Sequence, residues 1–180
     1  MTNTPYPHSS PPRKSSGAPK WIIVIAGGIF VLVAVIGVVA ALGIYGVRKY
    51  IADSKEAEAR NAVGQLAKDA AAAYVRDGKL CRSTSSPVPA TVPHGTKYQS
   101  TPGDWEAGKA AHAGFGCLRF SMSYPQYYQY DYRSTPRGFT AIARGDLDGD
   151  GVQSRFELDG HLSGGVISIV PNLKETNPDE

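Results

Sequence analysis

An uninterrupted apolar run extends from Trp21 to Val47 and contains no charged residue and no proline. At about 1.5 Å of rise per residue, a helix over this run would be roughly 40 Å long, which exceeds the roughly 30 Å hydrocarbon core of a bilayer. A cleaved signal peptide is one alternative, because basic residues precede the run and Val39-Ala40-Ala41 resembles a cleavage site, but its apolar region should span only about 7 to 15 residues. A buried helix of a soluble protein is a second alternative, and it would need a larger protein around every face. We therefore predict a retained transmembrane helix over residues 21–47.

Small residues recur along one side of this predicted helix, at successive steps of seven, three and four residues. They are Gly27, Ala34, Gly37 and Ala41. In a membrane such a stripe lets a second helix approach closely, so it predicts a helix-packing surface. A stripe of this kind also arises by chance in a span that is rich in glycine and alanine, and both interpretations stay open.

Beyond the apolar run the pattern becomes that of an amphipathic helix. Apolar or small residues recur at steps of three and four, while charged residues occupy the other faces. The stripe consists of Ile51, Ala59, Ala62, Val63, Leu66, Ala70, Ala73 and Tyr74. Gly78 is suited to end the helix, because glycine readily adopts the left-handed conformation just past a last turn. We predict that residues 48–78 continue the first helix and pack this stripe on the domain that follows; a linker helix near the membrane is the alternative.

After Gly78 the pattern changes to a proline-rich segment, residues 80–104, which predicts an extended loop. Short runs rich in β-branched and aromatic residues follow and predict strands. They lie at residues 117–123, 126–132, 139–145 and 155–158. Consecutive short strands predict an antiparallel sheet whose buried face covers the helix stripe. The predicted fold class is therefore α+β, with the long helix packed on an antiparallel β domain over residues 79–180.

Three tyrosines, Tyr128, Tyr130 and Tyr132, alternate along one of these runs and would share one face of a strand. Stacking on a ligand is one interpretation of such an aromatic face. Packing on the helix or on a neighbouring subunit is the simpler one, because aromatic side chains suit a pleated, half-buried surface. We therefore predict packing.

Composition and charge limit the functions to be considered. The net charge of the 180 residues is +3 and the basic residues are scattered, so no binding face for nucleic acid is expected. Residues 1–20 are rich in proline, serine and threonine, which predicts a disordered tail on the cytoplasmic side. The four histidines lack the spacing of a metal site or a triad, and no GxSxG motif occurs, so the sequence predicts no enzyme.

The chain has two cysteines, Cys81 and Cys117, both beyond the apolar run. An isolated pair in a small domain predicts one disulfide, and a disulfide persists only outside the cytoplasm. Two buried free thiols are the alternative. The pair therefore predicts a single-pass membrane protein in which residues 79–180 form an extracytoplasmic domain, facing the exterior or periplasm, and the N-terminal tail stays inside.

The sharpest local motif is D-x-D-x-D-G-x5-E, which the chain matches from Asp146 to Glu157. Alternating aspartates converge where glycine turns the chain sharply, and Ca²⁺ is a hard ion that takes about six to eight oxygen ligands. The predicted Ca²⁺ ligands are the carboxylates of Asp146, Asp148, Asp150 and Glu157 and the backbone carbonyl of Val152. A metal-free turn between two strands is the alternative, because Asp and Gly favour turns by themselves and strand geometry would direct Glu157 away.

The order of these features resembles that of type IV pilin and pseudopilin-like proteins. The stretches SSPVPATVP, YPQYYQYDY and GDLDGDG are similar to those of pilin-like fimbrial proteins of the myxobacterial type, and the resemblance covers roughly residues 21–180. It implies an extended helix packed on an antiparallel sheet. It also implies subunits that join each other, or other pilin-like subunits, through their apolar helices into a fibre of the cell envelope.

The chain departs from this family at the start of the apolar run. It has Ala18-Pro19-Lys20-Trp21 there and no acidic residue before Asp53, whereas the family has a leader cleavage site and a glutamate that pairs with a neighbouring subunit. Two functions are therefore expected. One is a structural or assembly subunit of a pilus or pseudopilus-type fibre. The other is a non-polymerising, membrane-tethered binding module with a Ca²⁺ loop.

Overall fold

The computed structural model describes residues 19–178, which fall into two units divided between Gly46 and Val47. The predicted tail lies outside the described residues as far as residue 18. In the first unit, the described residues from Lys20 onwards belong to helix α1, which spans Lys20–Asp77. All of them are exposed, including every large apolar side chain. The long N-terminal helix predicted from the hydrophobic pattern is therefore confirmed.

The second unit contains the later part of α1 and a five-stranded sheet. Gly78 follows the last residue of α1 with a φ of +67° and donates its N–H to the carbonyl of Tyr74 at 2.9 Å, which ends the helix as predicted. The further helices are α2 (Pro102–Glu106), a 3₁₀ helix (Lys109–Ala111) and α3 (Gly114–Leu118). The strands are β1 (Gln129–Thr135), β2 (Gly138–Gly145), β3 (Ser154–Ser163), β4 (Val166–Ile169) and β5 (Lys174–Thr176).

Strands β1, β2, β3 and β4 lie side by side in this order, and each pairs antiparallel with its neighbour. On the side of β3 away from β2, two strands pair with different parts of it: β4 with Gly160–Ser163 and β5 with Arg155–Glu157. The outer edge of β1 is covered by the proline-rich segment, in which Val88 exchanges backbone hydrogen bonds of 2.9 and 2.7 Å with Tyr130. The predicted α+β class with an antiparallel sheet is confirmed.

The inner face of the sheet and α1 form one core. Tyr128, Tyr130 and Tyr132 are fully buried in it, so the prediction that they pack is confirmed. From α1 the buried apolar residues of this core are Ala59, Ala62, Val63, Leu66, Ala67, Ala70 and Ala73. Alanines on the helix leave room for the tyrosine rings of the sheet. Ile51 does not belong to the buried stripe as predicted but is 49% exposed, because it lies two turns before the first buried apolar residue of α1.

The prediction of a strand over residues 117–123 is wrong. Its first residues lie in α3, and Arg119 follows with a φ of +63°, a left-handed conformation that an extended strand cannot contain. Phe115 and Phe120 pack on Trp105, with ring centroids 5.0 and 5.4 Å away. The aromatic residues of this segment therefore build a local cluster and do not line a sheet.

Candidate functional site

The loop that joins β2 to β3 carries the three aspartates of the predicted Ca²⁺ motif. It follows the last backbone pair of the hairpin, which joins Gly145 to Ser154. Gly149 and Gly151 have φ angles of +83° and +95°, which residues with a side chain rarely adopt. These two glycines allow the chain to curl back over Asp146.

Asp146 is the buried anchor of this loop, with 1% of its surface exposed. Its Oδ1 accepts the N–H of Gly149 at 2.7 Å, and its Oδ2 accepts the N–H of Gly151 at 3.0 Å. The Nδ1 atom of His94 lies 2.7 Å from Oδ2. Burial by itself raises the pKa of Asp146, but the hydrogen bonds from His94, Gly149 and Gly151 outweigh burial and hold the pKa below its ordinary value of 3.8. This carboxyl group is therefore ionised at neutral pH.

Asp148 and Asp150 are exposed, and each accepts the N–H two residues further along the chain, at 3.1 and 2.7 Å respectively. One carboxylate oxygen from each of the three aspartates lies within 4.8 Å of the other two. Two oxygens that bind the same Ca²⁺ ion at about 2.4 Å can be at most about 4.8 Å apart. The three side chains therefore meet the distance condition for one shared Ca²⁺ ion, and Ca²⁺ would offset the repulsion among three negative charges.

The structure does not bring Glu157 to these aspartates. Glu157 lies on β3 opposite Ile142, three pairs before the end of the hairpin, so it is about 10 Å from the loop at roughly 3.4 Å per residue. Its Oε1 accepts a hydrogen bond from Arg155 Nε at 2.8 Å. In the helix–loop–helix proteins that share this D-x-D-x-D-G-x5-E motif, a helix follows the loop and brings the glutamate to the ion. Here the chain continues as strand β3. Val152 lies in the loop, where its N–H binds Asp150.

His94 is the part of this site that sequence reasoning missed. It comes from the proline-rich segment, 52 residues before Asp146. The neighbouring N–H of Gly95 donates to the backbone carbonyl of Asp146 at 2.7 Å, which docks the segment on the loop. No local spacing links the two residues, so only the tertiary structure reveals this contact.

The two cysteines form the predicted disulfide. The Cys81 and Cys117 Sγ atoms are 2.00 Å apart and their Cα atoms 6.0 Å apart. Cys81 follows the end of α1 and Cys117 lies in α3, so the bond ties the end of the helix to the aromatic cluster around Trp105.

The first part of α1 is the second feature of functional interest. This helix is long and apolar enough to cross a membrane. The four residues of the predicted helix-packing stripe, Gly27, Ala34, Gly37 and Ala41, are all exposed. No described atom outside the helix backbone lies within 4 Å of a Cβ placed on Gly27 or Gly37. The stripe is therefore accessible to another helix, and its use as a packing surface stays a prediction.

Comparison with protein-family models, with curated proteins and with solved structures finds no match to this chain. The resemblance to pilin-like proteins therefore rests on the sequence features alone.

Proposed function

We propose that this chain is a membrane-anchored, type IV pilin-like protein that acts as a structural or assembly subunit of a pilus or pseudopilus-type fibre in the cell envelope. The observation that carries the proposal is the difference in burial between the two parts of α1. Its first part presents apolar residues on every side, and its later part buries a stripe of small residues against an antiparallel sheet. Such a helix suits a subunit that is held by its apolar part while its domain stays in water.

The proposed topology is a single pass through the inner membrane. The disulfide between Cys81 and Cys117 supports an oxidising environment for residues 79–180, because cytoplasmic thiols are kept reduced. Residues 1–20 would then lie in the cytoplasm. The proposed role is structural and not catalytic, and nucleic acid is not a proposed partner.

The proposed partner surface is the small-residue stripe of α1, which would contact another copy of the chain or another pilin-like subunit. Small residues let helix backbones approach closely where the lipid provides no hydrophobic driving force between helices. Gly37 is a suitable position for a test, because a Cβ there, as at Gly27, meets no described atom within 4 Å.

The first experiment determines the mature N-terminus and the cellular fraction by intact mass, on native membranes and on sheared surface material. The proposal expects the protein in the filament fraction. Gly37→Leu should lower its amount there severalfold, while Val38→Leu, on a neighbouring face, should not. An intact chain confined to membranes, with both variants behaving like the wild type, would contradict a role as a fibre subunit.

A second candidate function is a membrane-tethered module that binds Ca²⁺ through the loop after β2. The supporting observation is the approach of Asp146, Asp148 and Asp150 oxygens to within 4.8 Å of one another. Bound Ca²⁺ would neutralise these charges and hold β2 and β3 in register at the end where the loop joins them.

This candidate expects Ca²⁺ to raise the melting temperature of the wild-type chain, and it expects Asp148→Ala to remove that response. Asp53→Asn on α1 is the matched control for the loss of an exposed carboxylate and should keep the response. Glu157→Gln should also keep it, because Glu157 lies away from the loop. A Ca²⁺ response that survives in Asp148→Ala would exclude the loop as the site.

A further inference from the structure

A second group of metal-ligating side chains lies at the disulfide, away from the aspartate loop. The sulfur atoms of Cys81 and Cys117 and a ring nitrogen of His112 all lie within 4.8 Å of one another. Both cysteines are buried, with 1% and 6% of their surfaces exposed. The three residues come from separate segments: Cys81 follows the end of α1, His112 follows the 3₁₀ helix, and Cys117 lies in α3.

The backbone of His112 is fixed by hydrogen bonds, but its ring nitrogen Nε2 has no hydrogen-bond partner among the described residues. Its backbone N–H donates to Lys109 at 3.1 Å, and its carbonyl accepts the N–H of Arg82 at 3.0 Å. Its Nε2 atom is buried and has no hydrogen-bond partner among residues 19–178. The nearest acidic oxygen, Oδ2 of Asp77, is 3.9 Å away, which is too long for a hydrogen bond. A buried ring nitrogen without a partner is costly unless it binds a proton donor, an acceptor or a metal.

We propose that the reduced form of this group binds Zn²⁺ through the thiolates of Cys81 and Cys117 and a ring nitrogen of His112, with water in the fourth position. Two thiolates and one imidazole suit Zn²⁺ among the common divalent ions, and three protein ligands with one open position form a known tetrahedral arrangement.

The backbone already has a spacing that permits this site. With Zn–S bonds of about 2.3 Å, the two sulfurs of a tetrahedral site lie about 3.8 Å apart. The Cα atoms of Cys81 and Cys117 are 6.0 Å apart, so rotation of the two side chains can separate the sulfurs to this distance. The imidazole of His112 is within reach of both.

The disulfide and the metal site exclude each other. A dithiol reductant donates two electrons and two protons to the Cys81–Cys117 bond and becomes a disulfide itself. Binding of Zn²⁺ then forms two S–Zn bonds and releases the two thiol protons to water. A disulfide-class oxidant reverses both steps: the sulfurs bond to each other and give up two electrons, the oxidant takes up these electrons and two protons from water, and Zn²⁺ leaves. A newly made, reduced chain would thus hold Zn²⁺ until it is oxidised.

The test uses the full chain in detergent, reduced with a phosphine under anaerobic conditions and titrated with Co²⁺ as a spectroscopic substitute for Zn²⁺. We expect one equivalent to bind, with tetrahedral d–d bands in the visible range and a thiolate-to-cobalt charge-transfer band in the near ultraviolet. Zn²⁺ should remove both signals. The oxidised chain should show neither signal, and a carboxylate site such as the loop at Asp148 cannot produce the thiolate band.

Variants separate this site from nonspecific thiol binding. His112→Ala should weaken Co²⁺ binding at least about tenfold, a loss typical of disturbed metal ligation. His161→Ala, which removes an exposed histidine on β3, should leave binding unchanged. Circular dichroism of the reduced chain monitors its fold. Equal binding by wild type and His112→Ala would overturn the proposal, and so would a reduced chain that unfolds or shows no thiolate band.

Discussion

Arg60 on α1 donates two hydrogen bonds to the carboxylate of Glu175 on β5, from Nε to Oε1 at 2.8 Å and from Nη2 to Oε2 at 3.1 Å. The same Nη2 atom lies 2.9 Å from Oε2 of Glu56, whose side chain is only 4% exposed. The guanidinium group of Arg60 therefore pairs with two carboxylates, the partly exposed one of Glu175 on the sheet and the buried one of Glu56 on the helix. It ties the last strand of the sheet to α1.

Substitutions of Arg60 and of Glu175 should change the free energy of unfolding by different amounts, because Glu56 is buried and Glu175 is partly exposed. Arg60→Met should reduce the free energy of unfolding by about 1–3 kcal/mol, because it leaves the buried carboxylate of Glu56 without its cation. The loss should be smaller than for a fully buried pair, because the Arg60 side chain is 39% exposed. Glu175→Gln should cost only about 0.5 kcal/mol, because this pair is partly open to solvent. Thermal or urea unfolding of the full chain in detergent measures both. The double variant Glu56→Gln/Arg60→Met should regain most of the lost stability, and failure to do so would refute the assigned role of Glu56.

The contribution of Glu175 should also depend on pH. The hydrogen bond from Arg60 holds the pKa of Glu175 below its ordinary value of 4.5. A carboxyl whose pKa is lowered by folding stabilises the protein above the unfolded pKa, and this gain is lost as the pH falls through the folded pKa. The difference between wild type and Glu175→Gln should therefore be constant near neutral pH, decline once the pH falls below the ordinary pKa of 4.5, and disappear only below the lowered pKa of the folded state.

Glu58 predicts the opposite pH dependence. Burial raises its pKa above the ordinary 4.5, although the N–H of Tyr127 and the hydroxyl of Tyr130 donate to its Oε1 at 2.9 and 3.0 Å. A half-buried carboxylate with a raised pKa lowers stability as it ionises, so Glu58→Gln should be more stable than wild type at pH 7. The advantage should shrink as the pH falls toward 4.5. Melting curves from pH 4 to pH 8 test this, and a constant difference would argue against ionisation as the cause.

Asp146 should matter to the loop even when Ca²⁺ is removed by a chelator. Asp146→Ala leaves the amides of Gly149 and Gly151 and the ring of His94 without their acceptor, so we expect a loss of about 2 kcal/mol in unfolding free energy. Asp148→Ala, at an exposed position of the same loop, should change stability by less than about 0.5 kcal/mol. Equal effects of the two variants would show that Asp146 does not anchor the loop.

Two glycines predict opposite results for the same substitution. A Cβ on Gly160 of β3 would lie 2.4 Å from the ring of Phe139, so Gly160→Ala should cost about 1–3 kcal/mol through overpacking. A Cβ on Gly64 of α1 meets nothing within 4 Å, so Gly64→Ala should stabilise the chain by up to about 1 kcal/mol. Chemical denaturation measures both, and a neutral Gly160→Ala would show that Phe139 can move aside.

Periodicity and composition determined the features of this protein that depend on neighbours in the sequence. The exposed apolar helix, its end at Gly78 and the burial of alternate tyrosines beginning with Tyr128 follow from residue patterns over a few turns or one strand. The disulfide between Cys81 and Cys117 could be predicted because the chain has no other cysteine to pair. The α+β class follows in turn from one amphipathic helix and consecutive short strands.

Tertiary structure alone decided which groups meet across the sequence. His94 reaches Asp146 because the proline-rich segment docks on the loop, and nothing in either local pattern encodes that contact. Glu157 matches the spacing of a Ca²⁺ ligand, but strand extension carries it away from the loop. The aromatic run at residues 117–123 has strand-like composition, yet Phe120 packs on Trp105 and the chain turns. In each case long-range packing overrides a local preference, because burying a side chain or satisfying a buried carboxylate outweighs the small energies that local patterns express.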